Sequence, residues 1–142
     1  MHMPGLPTSM PPGPRYGDVA AEVGAHLQER AEAAMAAGIA RDRIVVDPGF
    51  GFGKSAQQNL ELLRRLPELG TLGFPVLVGM SRKSTIGMVL GGLPPGERAD
   101  GTAATVALSI AYGAAIVRVH DVAQMARVAR MSDAVVRGWT PG

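Results

Sequence analysis

The stretch PVLVGMSRKS, residues 75–84, decides the fold class. It opens with four consecutive apolar residues and ends in SRKS, a segment of two hydroxyls and two cations. A strand with one face in water would alternate apolar and polar residues, so the apolar run predicts a strand that is buried on both faces. Strands of this kind belong to a parallel sheet that is covered by helices.

Two more apolar runs, IVV at residues 44–46 and IVRVH at residues 116–120, have the same character. Helical patterns separate the three runs, and this alternation predicts an α/β protein with parallel strands and intervening helices. The MHM segment at the start is expected to be the tail of a further strand. The predicted helices cover residues 18–37, 55–66, 85–90, 100–112 and 121–137.

Two of these helices carry informative side chains. Ser55 and Gln58 have the spacing of a capping box, and Pro67 is expected to end the helix that they begin. The leucines of this helix predicted to face inward are Leu60, Leu63 and Leu66. In the last helix the predicted inward residues are Val122, Met125, Val128 and Val135.

The composition indicates one globular domain. The 142 residues are 46% apolar, and 14 basic residues nearly balance 12 acidic ones without forming runs, so we expect no nucleic-acid partner. The chain has no cysteine, which excludes disulfides and thiolate metal sites and fits a reducing cytoplasm. Its longest apolar stretch, residues 103–117, falls short of the ~20 residues of a membrane-spanning helix, so no membrane partner is expected.

Polar residues collect where the predicted strands end. In parallel α/β folds ligands bind at the carboxyl ends of the strands, so these residues are expected to share one site. Each one also has a structural interpretation: Asp47 as the cap of a turn, Lys83 as a solvated lysine and His120 as a surface histidine. Asp121 is expected to cap the last helix in either case. Three strands that end in this way together nevertheless favour a ligand site. The residues are Asp47, Ser81, Arg82, Lys83, Ser84, Arg118, His120 and Asp121.

The charges of this group suit an anionic ligand with a polar heterocycle. The cations would bind a phosphate or carboxylate, and Asp47 could accept paired N–H bonds from a guanidine-like edge. The glycine-rich loop at residues 49–53 would let a flat ligand approach, with Phe50 or Phe52 stacking on it. His2 and His26 are interpreted as structural, with His26 facing solvent, and Lys54 as either solvated or phosphate-binding.

Three motifs together resemble one family. DPGFGFGK at residues 47–54, VGMSRKS at 78–84 and RVHDV at 118–122 are similar, in this order, to the last three strand-end motifs of the dihydropteroate synthases. MHMPG at the start resembles the fifth-strand motif of that family, and residues 16–38 resemble the helix after it. The resemblance implies the C-terminal half of a TIM (β/α)₈ barrel.

The resemblance also implies an activity and a set of roles. The family condenses 4-aminobenzoate with 6-hydroxymethyl-7,8-dihydropterin pyrophosphate and releases 7,8-dihydropteroate and pyrophosphate. The residues that the resemblance marks as catalytic are Asp47, Lys83, Arg118 and His120. Those it marks as substrate-binding are Met1, Phe52, Gly79, Ser81, Arg82 and Ser84.

Further expectations come from the same resemblance. Mg²⁺ would be held mainly through the pyrophosphate and a residue absent from this chain, so no metal ligand is expected among the 142 residues. The partners would be the two substrates, and the full-length family would be a cytoplasmic homodimer.

The length implies a partial domain. A complete barrel needs ~200 residues or more, so residues 1–142 are expected to be a partial pterin-binding domain with a flexible loop at residues 4–15. Such a fragment should self-associate or be poorly stable, and should have little activity alone. The alternatives are a non-catalytic pterin- or anion-binding half-barrel, a half that an N-terminal part complements, and the pterin-binding domain of a methyltransferase.

Overall fold

A computed structural model describes residues 1–5 and 16–140. Six α-helices and two strands are found in this part of the chain, and the strands lie between helices as the apolar runs predicted. The elements are α1 (Val19–Ala36), α2 (Ala56–Arg64), α3 (Leu66–Gly70), β1 (Leu77–Val78), α4 (Ser84–Val89), α5 (Ala99–Ala111), β2 (Ile116–Val117) and α6 (Val122–Arg137), with short 3₁₀ turns at Arg41–Arg43 and Pro95–Glu97.

Parallel backbone pairing organises the centre of the fold. β1 pairs with β2, with Leu77 opposite Ile116 and Val78 opposite Val117. A parallel bridge between Val46 and Val76 adds the preceding segment on the other side of β1. The fold class predicted from the apolar runs, α/β with parallel strands and intervening helices, is confirmed.

The paired strands are shorter than the sequence predicted. In the first apolar run only Val46 pairs, and β2 ends at Val117 rather than at His120. Even so, Arg118 N donates to Val78 O over 2.9 Å, so the chain stays beside β1 for one more residue. The MHM segment lies where a strand tail would, because His2 N donates to Asp47 O over 2.9 Å.

The first helix begins and ends as predicted. The Asp18 carboxylate caps α1 by accepting from the N–H groups of Ala20 and Ala21, at 3.1 and 3.0 Å. Val23 and Leu27 on its inner face are almost completely buried in the main core, which also holds Val46, Val76 and Val78. This face anchors the sheet segments.

The second helix has the predicted cap, but the leucines on its buried side differ in part from those predicted. Ser55 and Gln58 form the capping box. Leu63 and Leu66 are buried as predicted, and Leu62 is buried as well, whereas Leu60 is 42% exposed. The prediction that Leu60 faces inward was wrong. The three-residue spacing from Leu60 to Leu63 is compatible with two neighbouring faces of the helix, and the buried face is the one that holds Leu62 and Leu63. Pro67 does not end an element either: it lies in the first turn of α3, where its missing N–H costs no helical bond.

The last helix packs through a narrow stripe. Met125 is buried with Val106 and Ile110 in a second core cluster, and Val128 packs against it. Val122 and Val135, which were predicted to face inward, are 65% and 73% exposed. The other described elements cover only one side of α6, so the apolar period of the helix overstates how much of it is buried.

Of the loop predicted at residues 4–15, positions 6–15 lie outside the described residues, and Pro4 and Gly5 form a bend.

Among the residues described, no helix has both the length and the hydropathy needed to cross a membrane.

The leucine pair in α2 gives a direct test of the helix register. Leu62→Ala should lower the free energy of unfolding by about 2–5 kcal/mol because it leaves a cavity in the core. Leu60→Ala, the matched control two residues earlier, should change it by less than about 1 kcal/mol. Urea unfolding of both variants measures the difference, and equal losses would contradict the register.

Candidate active site

The loops that follow the parallel segments meet at one end of the sheet. They border a cavity of about 500 Å³, a size typical of small-molecule sites. Most of the residues predicted for the site reach it. Its lining residues are Phe52, Gly79, Ser81, Lys83, Arg118, Val119 and His120.

Asp47 supplies the acid beside this cavity. It is largely buried, and its Oδ1 accepts from Gly49 N over 2.7 Å. Its Oδ2 lies 3.4 Å from Nη2 of Arg118, which comes from the end of β2. The carboxylate is therefore fixed by its own turn and oriented toward a cation from another strand.

Lys83 reaches back over the glycine-rich loop. Its Nζ donates to the backbone O of Phe50 and lies 4.7 Å from the centroid of the Phe52 ring, a cation–π distance. Burial lowers the pKa of the Lys83 ammonium, Asp47 opposes this shift, and Arg118 adds to it. Of the two aromatic candidates, Phe52 faces the cavity and Phe50 belongs to the core.

Gly79 makes room for Arg118. A Cβ at position 79 would lie 2.9 Å from Arg118 Nη2, closer than side chains tolerate. The guanidinium therefore crosses directly over the backbone of the strand end. The Arg118 side chain is 58% exposed and lines the cavity, and its guanidinium has five N–H bonds, of which the contact with Asp47 uses those of Nη2.

Ser81 and His120 form a pair across β1 and β2. The Ser81 hydroxyl is buried, accepts from His120 N over 3.2 Å and lies 2.9 Å from His120 Nδ1. The exposed part of the imidazole faces the cavity. Ser81 thus orients the ring of the histidine.

Arg82 does not line the cavity. Its Nε donates to Asp121 Oδ2 over 3.0 Å, and this hydrogen bond lowers the pKa of the Asp121 carboxyl. Asp121 occupies the N-cap position of α6, but its side chain makes no cap bond there. The expected cap role of its carboxylate is therefore wrong, because the guanidinium of Arg82 takes it instead.

The backbone at Arg82 is held in an unusual conformation. Its φ is 56°, a left-handed value that costs a non-glycine residue energy. Arg82 N donates to Thr102 Oγ1 over 3.1 Å, and Arg98 Nη1 donates to Arg82 O over 2.7 Å. Both partners come from the α5 region, and the motif reading did not find them because they lie 16 and 20 residues away.

Met1 and Ser84 lie beside the cavity lining rather than in it. Met1 is half-exposed with its side chain next to Gly49, and Ser84 is the exposed first residue of α4. Their predicted roles in substrate binding stay predictions.

The family follows from comparison with known proteins. Residues 1–120 match the family described as pterin binding enzyme. The chain belongs to this family. Its resemblance to the dihydropteroate synthases is confirmed as well, since the Neisseria meningitidis serogroup B dihydropteroate synthase is 49% identical over 138 residues, covering 95% of this chain and 48% of that relative.

Solved structures agree with this family assignment. The Xanthomonas albilineans dihydropteroate synthase with 4-aminobenzoic acid has a TM-score of 0.86 and 46% identity, covering 94% of this chain and 49% of that one. The same enzyme in complex with 7,8-dihydropteroate gives 0.84 and 47%, covering 89% and 48%. The chain spans about half the length of the relatives it matches and corresponds to half of a TIM (β/α)₈ barrel.

Lys54 has a role that the sequence left open. It is buried, and its Nζ bonds to Gly49 O and to His2 Nδ1, both at 2.9 Å. Burial, reinforced by Lys83, lowers its pKa to about 8. A lysine placed within a glycine-rich loop is the signal that was available for this role, because such a loop needs donors for its free carbonyls.

His2 and His26 are both structural, as predicted, but the expectation that His26 faces solvent was wrong. His26 is half-buried rather than solvent-facing, and its ring packs edge-on against His2 at 4.9 Å between centroids. Burial, with the charge of Lys54 next in importance, lowers the pKa of His2 to about 4. His2 therefore serves as a neutral acceptor for the Lys54 ammonium.

The described residues do not fit a protein-held metal ion. No group of three or more His, Asp or Glu side chains that could bind a metal is found within residues 1–5 and 16–140. Asp47 faces the guanidinium of Arg118, and the remaining donors at the cavity are cations and hydroxyls. Such a set suits an anion better than a divalent cation.

The lowered pKa of His2 predicts a pH-dependent stability. Between pH 6.5 and about 4 the unfolded chain binds a proton at His2 that the folded chain does not, so the free energy of unfolding should fall as the pH drops through this window. The loss of unfolding free energy over this window is at most about 3 kcal/mol, since solvent screening reduces the effect of the pKa shift.

The variant His2→Asn tests this prediction. Asparagine keeps an acceptor for Lys54 but cannot be protonated in this range, so the stability of the variant should depend less on pH between 6.5 and 4. Urea unfolding across this range measures the slope. An unchanged slope in the variant would contradict the assignment.

Proposed function

We propose that this chain supplies half of the active site of a dihydropteroate synthase. The reaction joins 4-aminobenzoate to 6-hydroxymethyl-7,8-dihydropterin pyrophosphate and releases pyrophosphate. The observation that carries the proposal is that Lys83, Arg118 and His120, from two strand ends, border one cavity beside the carboxylate of Asp47. The Xanthomonas albilineans structures, one with 4-aminobenzoic acid and one in complex with 7,8-dihydropteroate, support the choice of substrate and product.

Recognition of the pterin is assigned to Asp47 and Lys83. The Asp47 carboxylate would accept paired N–H bonds from the amino and ring nitrogens of the pterin. The Lys83 ammonium, which already donates a hydrogen bond to Phe50 O, would donate a second hydrogen bond to the oxygen and nitrogen edge of the ring. Burial makes both contacts stronger than they would be in water.

The pyrophosphate is assigned to Arg118 and His120. The Arg118 guanidinium is exposed toward the cavity, and its contact with Asp47 Oδ2, at 3.4 Å, leaves other N–H groups free to bind phosphate oxygens. Ser81 holds the imidazole of His120 beside it. These donors would stabilise the negative charge that grows on the leaving group.

The aminobenzoate is assigned to the space between Phe52 and Ser84. The Phe52 ring would pack against the benzoate ring, and the Ser84 hydroxyl would donate to its carboxylate. Arg82 would not contact the substrate directly. Its ion pair with Asp121 would instead support the loop beside the cavity.

The chemistry needs no covalent intermediate with the protein. The bond between the pterin methylene carbon and the pyrophosphate oxygen breaks, and pyrophosphate leaves with the electron pair. The methylene cation is stabilised by the nearby Asp47 carboxylate, the amine nitrogen of 4-aminobenzoate forms the new C–N bond, and its proton leaves to solvent. The residues described by the structure do not fit a metal site, so Mg²⁺ would be held mainly through the pyrophosphate, whose charge it would neutralise.

The proposal extends to the setting of the protein. We expect a cytoplasmic protein whose full-length relatives form homodimers and bind neither nucleic acid nor membrane. The near balance of 14 basic and 12 acidic residues and the absence of cysteine support this expectation.

Isothermal titration of this chain with a non-hydrolysable pterin pyrophosphate analogue, with and without 4-aminobenzoate, tests the proposal. We expect binding, and a roughly 10- to 100-fold weaker affinity in Asp47→Asn because a charged acceptor is lost. The matched control is Asp42→Asn, which makes the same charge change at an exposed residue of the first 3₁₀ turn and should bind like the wild type.

The outcomes separate the alternatives. Binding of the true substrate without formation of dihydropteroate would favour a non-catalytic pterin-binding half-barrel or a half that needs its N-terminal complement. Absence of any binding, or equal affinities of Asp47→Asn and Asp42→Asn, would contradict the assigned site.

A further inference from the structure

The peptide group between Phe50 and Gly51 is held at both of its polar ends. Its C=O accepts from Lys83 Nζ, and its N–H donates to Asn59 Oδ1 over 2.9 Å. Because a trans peptide is planar, its N–H and C=O point in opposite directions, so fixing one fixes the other. The orientation of the carbonyl that binds Lys83 is thus set from beneath by Asn59.

Asn59 is a buried polar residue with a complete set of partners. It is 1% exposed and lies in α2. Its amide nitrogen, which has two N–H bonds, donates to Ser55 O over 2.9 Å and to Thr85 Oγ1 over 3.1 Å, and Lys54 O lies 3.3 Å from the same nitrogen. A buried amide is costly unless it is satisfied, so a residue that contributed only to packing would be better replaced by an apolar one.

The glycine-rich loop needs such external support. Gly49, Gly51 and Gly53 have φ values of 69°, 78° and 63°, so the loop has no regular ladder to hold it. At Gly51 the loop also carries the stem of Lys83, since a Cβ there would lie 3.0 Å from Lys83 Cδ. The peptide that Asn59 holds is therefore the surface on which Lys83 rests.

The other end of the Asn59 amide reaches α4. Thr85 is 2% exposed, and its hydroxyl accepts from Asn59 two residues after Lys83. One side chain thus connects the loop before α2 with the segment that carries Lys83 and Ser84. The two walls of the cavity cannot shift apart without breaking these bonds.

We propose that Asn59 is a positioning residue of the site: by fixing the Phe50–Gly51 peptide and the Thr85 hydroxyl, it sets where the Lys83 ammonium lies. The consequence for substrate binding rests on the function proposed above. The consequence for Lys83 itself does not, and it can be measured without any ligand.

The chain offers a clear spectroscopic readout. Lys54 and Lys83 are its only lysines, so ε-¹³C lysine labelling gives two side-chain signals. The charged groups that act on Lys83 are Asp47 and Arg118, and Lys54 interacts with it across the loop. None of these three residues is substituted in the variants below, and the Lys54 signal reports separately on any change at Lys54.

Asn59→Ala is the first variant, and Gln57→Ala, at an exposed site of the same helix, is its matched control. In Asn59→Ala the Lys83 titration should move upward, toward that of a solvated lysine, because the loop no longer holds the ammonium in its buried position. Hydrogen exchange of the Gly51 amide should become at least about tenfold faster relative to that of Val23, a buried reference in α1. Gln57→Ala should match the wild type in both measurements.

Thr85→Val and Thr85→Ser cover the case in which Asn59→Ala does not fold. Valine keeps the shape but removes the acceptor, so Gly51 exchange and the Lys83 titration should change in the same directions, while serine should restore both. Unchanged Lys83 and Gly51 signals in folded Asn59→Ala or Thr85→Val would overturn the proposal.

Ligand affinity separates this inference from the proposed function. If the wild-type chain binds the pterin pyrophosphate analogue, Thr85→Val should bind it more weakly and Thr85→Ser should bind it like the wild type. If the wild-type chain does not bind, the proposed function fails, and the Lys83 and Gly51 measurements still decide the role of Asn59.

Discussion

The parallel pairing of short backbone segments is the constraint on which the rest of the structure depends. His2 N donates to Asp47 O, Val46 pairs with Val76, and β1 pairs with β2, so the segments run side by side in one direction. Parallel neighbours end at the same edge, and every loop that carries a charged residue of the site therefore leaves from that edge. Few residues form the ladder itself, and the core beneath it, built from the inner faces of α1, α2 and α3, keeps them in register.

The electrostatics of the site follow from this arrangement. One carboxylate, Asp47, interacts with three cations, Lys54, Lys83 and Arg118, and burial lowers the pKa of Lys54 and of Lys83. Both lysines of the chain donate to carbonyls of the glycine-rich loop, and the neutral His2 completes the support behind Lys54. The site is therefore cationic on the side of the cavity and rigid behind it, a combination that suits an anionic substrate with a polar ring edge.

The sequence predicted the helices, the parallel strands and the meeting of polar residues at one cavity, but not the contacts that support those residues. Uninterrupted apolar runs give the parallel sheet, and the polar residues after each run give the cavity, because both signals are local. The pairing of Arg82 with Asp121, 39 residues apart, and the link from Asn59 to Thr85, 26 residues apart, depend on how elements pack. From the sequence alone, a single polar residue in an amphipathic helix, such as Asn59, is expected to face solvent, and an apolar neighbour such as Leu60 is expected to be buried. The packing of the helix against its neighbours gives the opposite result for both residues.

We propose above all that Asp47, Lys83, Arg118 and His120 serve one ligand at one cavity. A crystal structure of this chain with 7,8-dihydropteroate bound is the most direct test. We expect the pterin ring within about 3.2 Å of an Asp47 carboxylate oxygen and of Lys83 Nζ, with Arg118 and His120 on the same cavity. Product bound at another surface, or these four side chains turned away from a common ligand, would contradict it.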